Sequence, residues 1–181
     1  MLSKKMVDAI NSQINKEMYS AYLYMAMSAK ANEDGFKGAA NWFMVQYHEE
    51  MVHAMKFYEY VADQGGSIKL AAIAEPPRSF SSLLDMFEKT LAHEQLVTKS
   101  INDLMELAIA EKDHASQALL AWYVTEQVEE EKNDNEIIQA LRMIGDNKSA
   151  LYLYDKELSA RMVTVPIDFS KGVSAAMGAA G

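Results

Sequence analysis

The chain has 181 residues, 50% hydrophobic and 24% charged, which suffices for one globular domain with a sizeable core. Its net charge of −9 disfavours a nucleic-acid partner, which needs a basic stripe, and suits either plain solubility or the attraction of cations. The absence of cysteine removes disulfide scaffolds, thiolate zinc sites, iron–sulfur clusters and thiol nucleophiles together.

The N-terminus, Met1-Leu2-Ser3-Lys4-Lys5-Met6, becomes amphipathic at once and lacks a signal peptide's apolar stretch; no later run reaches transmembrane length. A cytoplasmic protein with no membrane partner is expected. With eight Gly and three Pro, long uninterrupted helices are possible, and the 13 Met read as helix-forming core filler. Four segments of about 28 to 32 residues carry apolar residues at i, i+3, i+4 and i+7. The first is predicted from near Ser3 to Asp34, where Gly35 breaks it, and the second from near Lys37 to the Gly65-Gly66 pair. The third follows the N-cap candidates Ser81 and Ser82 and runs to about Ala110; the fourth runs from near Asp113 to Ile144 and stops at Gly145.

Connection lengths predict the topology. Segments one and two, and three and four, are joined by two or three residues, so each pair should form an antiparallel hairpin. Residues 65–80, including Glu75-Pro76-Pro77, are long enough to travel a bundle's length and to leave helices two and three parallel. A shorter periodic stretch from Asn147 to about Ser159 predicts a fifth helix, which has little core left to join and is expected to pack against other subunits. Lys171 to Gly181 is rich in Gly, Ala and Ser and reads as a flexible tail. The expected fold is all-α: a four-helix bundle with one long crossover plus a short fifth C-terminal helix.

Each long segment places acidic side chains on its apolar stripe. Glu17 interrupts Ile10, Ile14, Ala21 and Tyr24; Glu50 lies among Phe43, Tyr47, Ala54 and Phe57, with His53 at i+3. Glu94 interrupts Leu84, Phe87, Leu91, Ile101 and Met105; Glu126 and Glu130 align with Tyr123 and Ile137, with Gln127 beside them. Burying one unpaired carboxylate costs several kcal/mol, so five in one core require a strongly positive partner, and a metal pair would serve. An E-x-x-H pair puts carboxylate and imidazole on adjacent turns, a spacing that chelates iron or manganese in bundles. Alone the pattern is weak, and Glu49-Glu50 or Glu129-Glu130-Glu131 could be solvated faces. Coincident inward Glu residues on the other three helices make it strong. His48, His93 and His114 are read as structural or surface residues.

The chain resembles the ferritins, specifically the non-haem ferritins of bacteria and archaea. The resemblance covers residues 1–160, and residues 161–181 stand beyond it as a tail without an assigned role. It is carried by Ile14-Asn15-Lys16-Glu17 with Tyr24, Glu49-Glu50-Met51-Val52-His53, Trp122-Tyr123-Val124-Thr125-Glu126-Gln127 with Glu129-Glu130-Glu131, and Asp155-Lys156-Glu157-Leu158-Ser159. It implies a ferroxidase centre that oxidises Fe(II) with dioxygen or hydrogen peroxide. Glu17 and His53 would bind the first iron, Glu50 would bridge, and Glu94 with Glu130 would hold the second. Gln127 would bind or orient dioxygen or a ligand water, and Tyr24 would hydrogen-bond the centre and could supply an electron. A third iron site would use Glu49, Glu126, Glu129 and Glu130. The resemblance also implies a homo-oligomeric shell of about 24 subunits holding a ferric oxide mineral, with the fifth helix lining its fourfold axes.

The fourth segment has no second His, which argues against a bacterioferritin with a permanent di-iron cofactor. Met51 stands where bacterioferritins place a haem-ligating Met, but non-haem members carry Met there too, and haem is not expected. Rubrerythrin-type peroxidases pair the bundle with a Cys-rich domain, which zero Cys disfavours. Mini-ferritins build their site between subunits and lack the fifth helix. A non-catalytic helical bundle is the remaining alternative.

Overall fold

In the computed structural model the described residues are 2–170, 172 and 173, so most of the stretch expected to be a flexible tail lies outside them. Five helices and no strand occur among the described residues: α1 (Lys4–Glu33), α2 (Lys37–Asp63), α3 (Leu83–Ala110), α4 (His114–Ile144) and α5 (Lys148–Leu158). Their starts are fixed by side chains that satisfy orphan N–H groups. Ser3 Oγ accepts from Met6 N at 3.0 Å, Ser82 Oγ from Asp85 N at 3.0 Å, and Asp113 Oδ1 from Ser116 N at 3.1 Å.

Three helix ends share one hydrogen-bond pattern, in which the chain reverses through a left-handed residue. After α1, Phe36 N donates to Ala31 O at 2.9 Å past Gly35, whose φ is +88°. After α2, Gly66 N donates to Val61 O at 2.8 Å past Gly65 at φ +70°. After α3, Asp113 N donates to Ala108 O at 2.8 Å, but the left-handed residue is Lys112 at φ +56°. That turn is the one the glycine pattern does not announce.

The chain divides into two compact units, Met1–Ser79 with Tyr152–Gly181, and Phe80–Leu151. In the first, α1 and α2 form a hairpin, tied where Ser28 Oγ donates to Ala40 O at 2.7 Å. The long connection after α2 runs along α1 in the same direction as α1. Asn11 holds Ser67 O at 2.9 Å and Lys69 N at 2.9 Å, Asn15 reaches the carbonyls of Ala71 and Ala72, and Glu75, Pro76 and Arg78 lie in one pocket with Tyr22, Met25 and Ala29. In the second unit, α3 and α4 form the other hairpin, joined where Gln117 Nε2 donates to Ala108 O at 3.1 Å.

The fifth helix is less independent than its sequence suggests. Asp155 and Leu158 are buried, and the Asp155 carboxylate accepts from Gly38 N at 3.0 Å and Ala39 N at 2.9 Å. No side chain of Phe36 can cap α2, so Asp155 supplies the acceptor, and its charge suits the helix N-terminus. Gly38 permits this approach: a Cβ there would lie 1.5 Å from Asp155 O. Tyr152 and Leu153 of α5 remain exposed.

Candidate metal centre

In the first unit the hairpin brings Glu17 of α1 beside Glu50 and His53 of α2. All three are buried, with 1%, 1% and 3% of their surface exposed, and each offers a ligand atom within 4.8 Å of the others. His53 Nδ1 stands 3.5 Å from Glu50 Oε2. Glu17 Oε1 accepts from Gln13 Nε2 at 2.7 Å, which fixes the carboxylate plane, while Glu17 Oε2 is buried with no hydrogen bond among the described residues. Burial pushes the Glu17 carboxyl above the usual carboxylate range, and His53, Gln13 and Glu50 pull it back part of the way. Tyr24 is fully buried, its ring stacked on Phe43 at 6.3 Å.

The donor set fits iron. Two carboxylates and an imidazole are hard and borderline ligands suited to Fe(II) or Mn(II), and a cation among them would remove the cost of the buried charge. Glu17 Oε2, otherwise unsatisfied, offers it a ligand atom.

In the second unit, Glu94 of α3 and Gln127 and Glu130 of α4 are buried. Gln127 Nε2 donates to Glu94 Oε2 at 3.0 Å and also reaches Glu94 O and Thr98 Oγ1, both at 3.3 Å. Thr98 Oγ1 in turn donates to Glu131 Oε1 at 2.6 Å. Glu94 is therefore oriented by a small amide and hydroxyl network. His93, half-buried on the neighbouring flank of α3, is pushed by burial down to about 4 and is neutral at physiological pH.

Several positions differ in detail from the sequence pattern. The buried stripe of α3 runs through Leu83, Met86, Phe87, Thr90, Glu94, Val97 and Ile101, leaving Leu84, Leu91 and Met105 at its edges. On α4 the buried face centres on Tyr123, Gln127, Glu130 and Asp134, so Gln127 lies inside while Glu126 is half-buried and Glu129 exposed. Apolar residues on both flanks of these helices leave the stripe's rotation loosely specified by a 3.6 period. Glu49 is half-buried and its Oε2 takes Arg161 Nη2 at 2.5 Å. Gln13 and Thr98 were not apparent as orienting residues, although Gln13 precedes Glu17 by four positions and so shares its face. Buried Asp134, four after Glu130, was equally legible by spacing and overlooked.

Comparison with known proteins adds independent findings. The family model described as the ferritin-like domain matches residues 7–144. A bacterial non-heme ferritin of Staphylococcus aureus is 43% identical over 161 residues, 89% of this chain and 97% of that protein. One from Staphylococcus saprophyticus is 44% identical over 161 residues, 89% of this chain and 96% of its own length. An engineered closed form of the Archaeoglobus fulgidus ferritin superposes with a TM-score of 0.90 at 49% identity, covering 91% of this chain and 100% of that one. An open-pore ferritin from the same archaeon gives a TM-score of 0.89 at 49% identity, with 90% and 100% coverage.

Proposed function

The chain belongs to the ferritin family, with its all-α ferritin-like fold, and from that premise we propose that it stores iron by oxidising Fe(II) at a di-iron centre within each subunit. The observation that carries this reading is the buried trio Glu17, Glu50 and His53, whose ligand atoms converge within 4.8 Å. Iron is substrate here. Glu17 and His53 take the first ion, Glu50 bridges, and Glu94 with Glu130 take the second. A third, weaker iron site would use Glu49, Glu126, Glu129 and Glu130.

Each hydrogen bond has a chemical consequence. Gln13 occupies Glu17 Oε1 and so leaves Oε2 for metal. Gln127 donates to Glu94 Oε2, which directs the carboxylate's other lone pairs toward an ion and holds an amide beside it for dioxygen or a water. Carboxylates favour Fe(III) over Fe(II), which assists oxidation, and two Fe(II) together supply the two electrons that reduce one dioxygen. Tyr24, buried against Phe43, hydrogen-bonds the centre and is available as a further electron source. A single imidazole among carboxylates holds ferric product less permanently than a two-His site would, and the product passes to a mineral inside a shell of subunits in the cytoplasm. No helix among the described residues is long and apolar enough to cross a membrane.

The test is aerobic addition of Fe(II) to the purified protein followed by sizing of the product. The reading predicts ferric mineral co-eluting with a very large protein particle. Ferric precipitate separate from a monomer or dimer contradicts it.

A further inference from the structure

Glu49 is already occupied by a cation of the protein's own. Arg161 Nη2 lies 2.5 Å from Glu49 Oε2, both side chains being largely shielded from solvent, and the guanidinium carbon sits 4.5 Å above the ring of buried Trp42. The backbone at this point is fastened separately: Asn41 Nδ2 donates to Arg161 O at 2.8 Å. Ten positions further along α2, Glu59 accepts from the backbone N of Val173, which is fully buried. The segment after α5 is thus tied to α2 at Glu49 and again at Glu59, about 15 Å apart along the helix.

We infer that Arg161 is a specificity-determining residue that competes with metal for Glu49 and confines each subunit to its two-metal centre. The inference rests on the proposed role of Glu49 in a third iron site. A guanidinium stays protonated at any accessible pH, so the competitor does not leave by titration; metal must displace it. Displacement breaks a charge-assisted hydrogen bond and a cation–π contact in a place where water screens little. Glu50, one residue later on a different face of α2, is buried beside Glu17 and His53 and so belongs to the two-metal centre that Arg161 leaves intact. Because Asn41 holds the backbone independently, removing the guanidinium alone leaves the segment seated.

The probe is Co(II), titrated calorimetrically into metal-free wild type and variants. Wild type is expected to bind about two Co(II) per subunit tightly. Arg161→Gln should gain one further Co(II) per subunit, with affinity at that position raised on the order of tenfold or more. The gain should vanish in Glu49→Gln/Arg161→Gln, and Arg161→Lys, which keeps the charge, should show less of it. Three equivalent tight ions in wild type overturn the inference even if Arg161→Gln fails to assemble. So does an Arg161→Gln count equal to wild type, or a gain that survives loss of Glu49. A wild-type count that does not fall in Glu50→Ala contradicts the proposed centre itself. An unchanged Arg161→Gln count beside a Glu50-dependent pair contradicts only the role of Arg161.

Discussion

A buried carboxylate is the costliest side chain in this protein, and Glu17 carries that cost in the metal-free state. Its folded value is raised by burial, so its favourable contribution is complete below the ordinary value of 4.5 and is lost as pH rises through the folded value. At neutral pH Glu17 therefore destabilises the metal-free fold, and metal relieves it. Glu17→Gln, which keeps the shape, is expected to stabilise the metal-free protein by about 1–3 kcal/mol while shrinking the rise in Tm on adding Co(II). Thermal melts with and without Co(II) check both; a variant less stable than wild type without metal contradicts the argument. The buried positions of Glu17, Glu50, His53, Glu94 and Glu130 were legible because each interrupts an apolar stripe. Arg161 was not, since its partner lies 112 positions away and no periodic pattern links them.

At the scale of the element, helix boundaries were readable wherever their chemistry is local. Ser82 caps as its sequence context predicts, Ser3 and Asp113 cap at the expected starts of their segments, and Gly35, Gly65 and Gly145 stand at left-handed turns. Lys112 is the exception, a residue with a Cβ at φ +56°, where the conformation costs about 1 kcal/mol or more. Lys112→Gly is expected to stabilise the α3–α4 turn by about 0.5–1 kcal/mol in denaturant unfolding; no gain would mean that the Lys side chain offsets the strain. The docking of α5 was not legible, because the cap of α2 comes from Asp155, 117 positions after Gly38. Gly38→Ala drives a Cβ to 1.5 Å from Asp155 O, so it should cost about 3 kcal/mol or more in thermal unfolding. A near-neutral Gly38→Ala would show that α5 is not held there.

At the scale of the whole molecule, chain length between helices proved as informative as the helices. Two short connections make two hairpins, and the 65–80 stretch follows α1, held by Asn11 and Asn15. What subunits do together was not legible, because contacts between copies leave no period in one sequence. The proposed di-iron oxidation requires the carboxylates of both hairpins to serve one centre, and kinetics tests that requirement most directly. Stopped-flow mixing of Fe(II) with oxygenated protein should give wild type a fast oxidation phase saturating near about two irons per subunit. Glu50→Ala, eluting as the same large particle, should lose that phase. A Glu50→Ala particle that oxidises iron at the wild-type rate and stoichiometry would contradict the account.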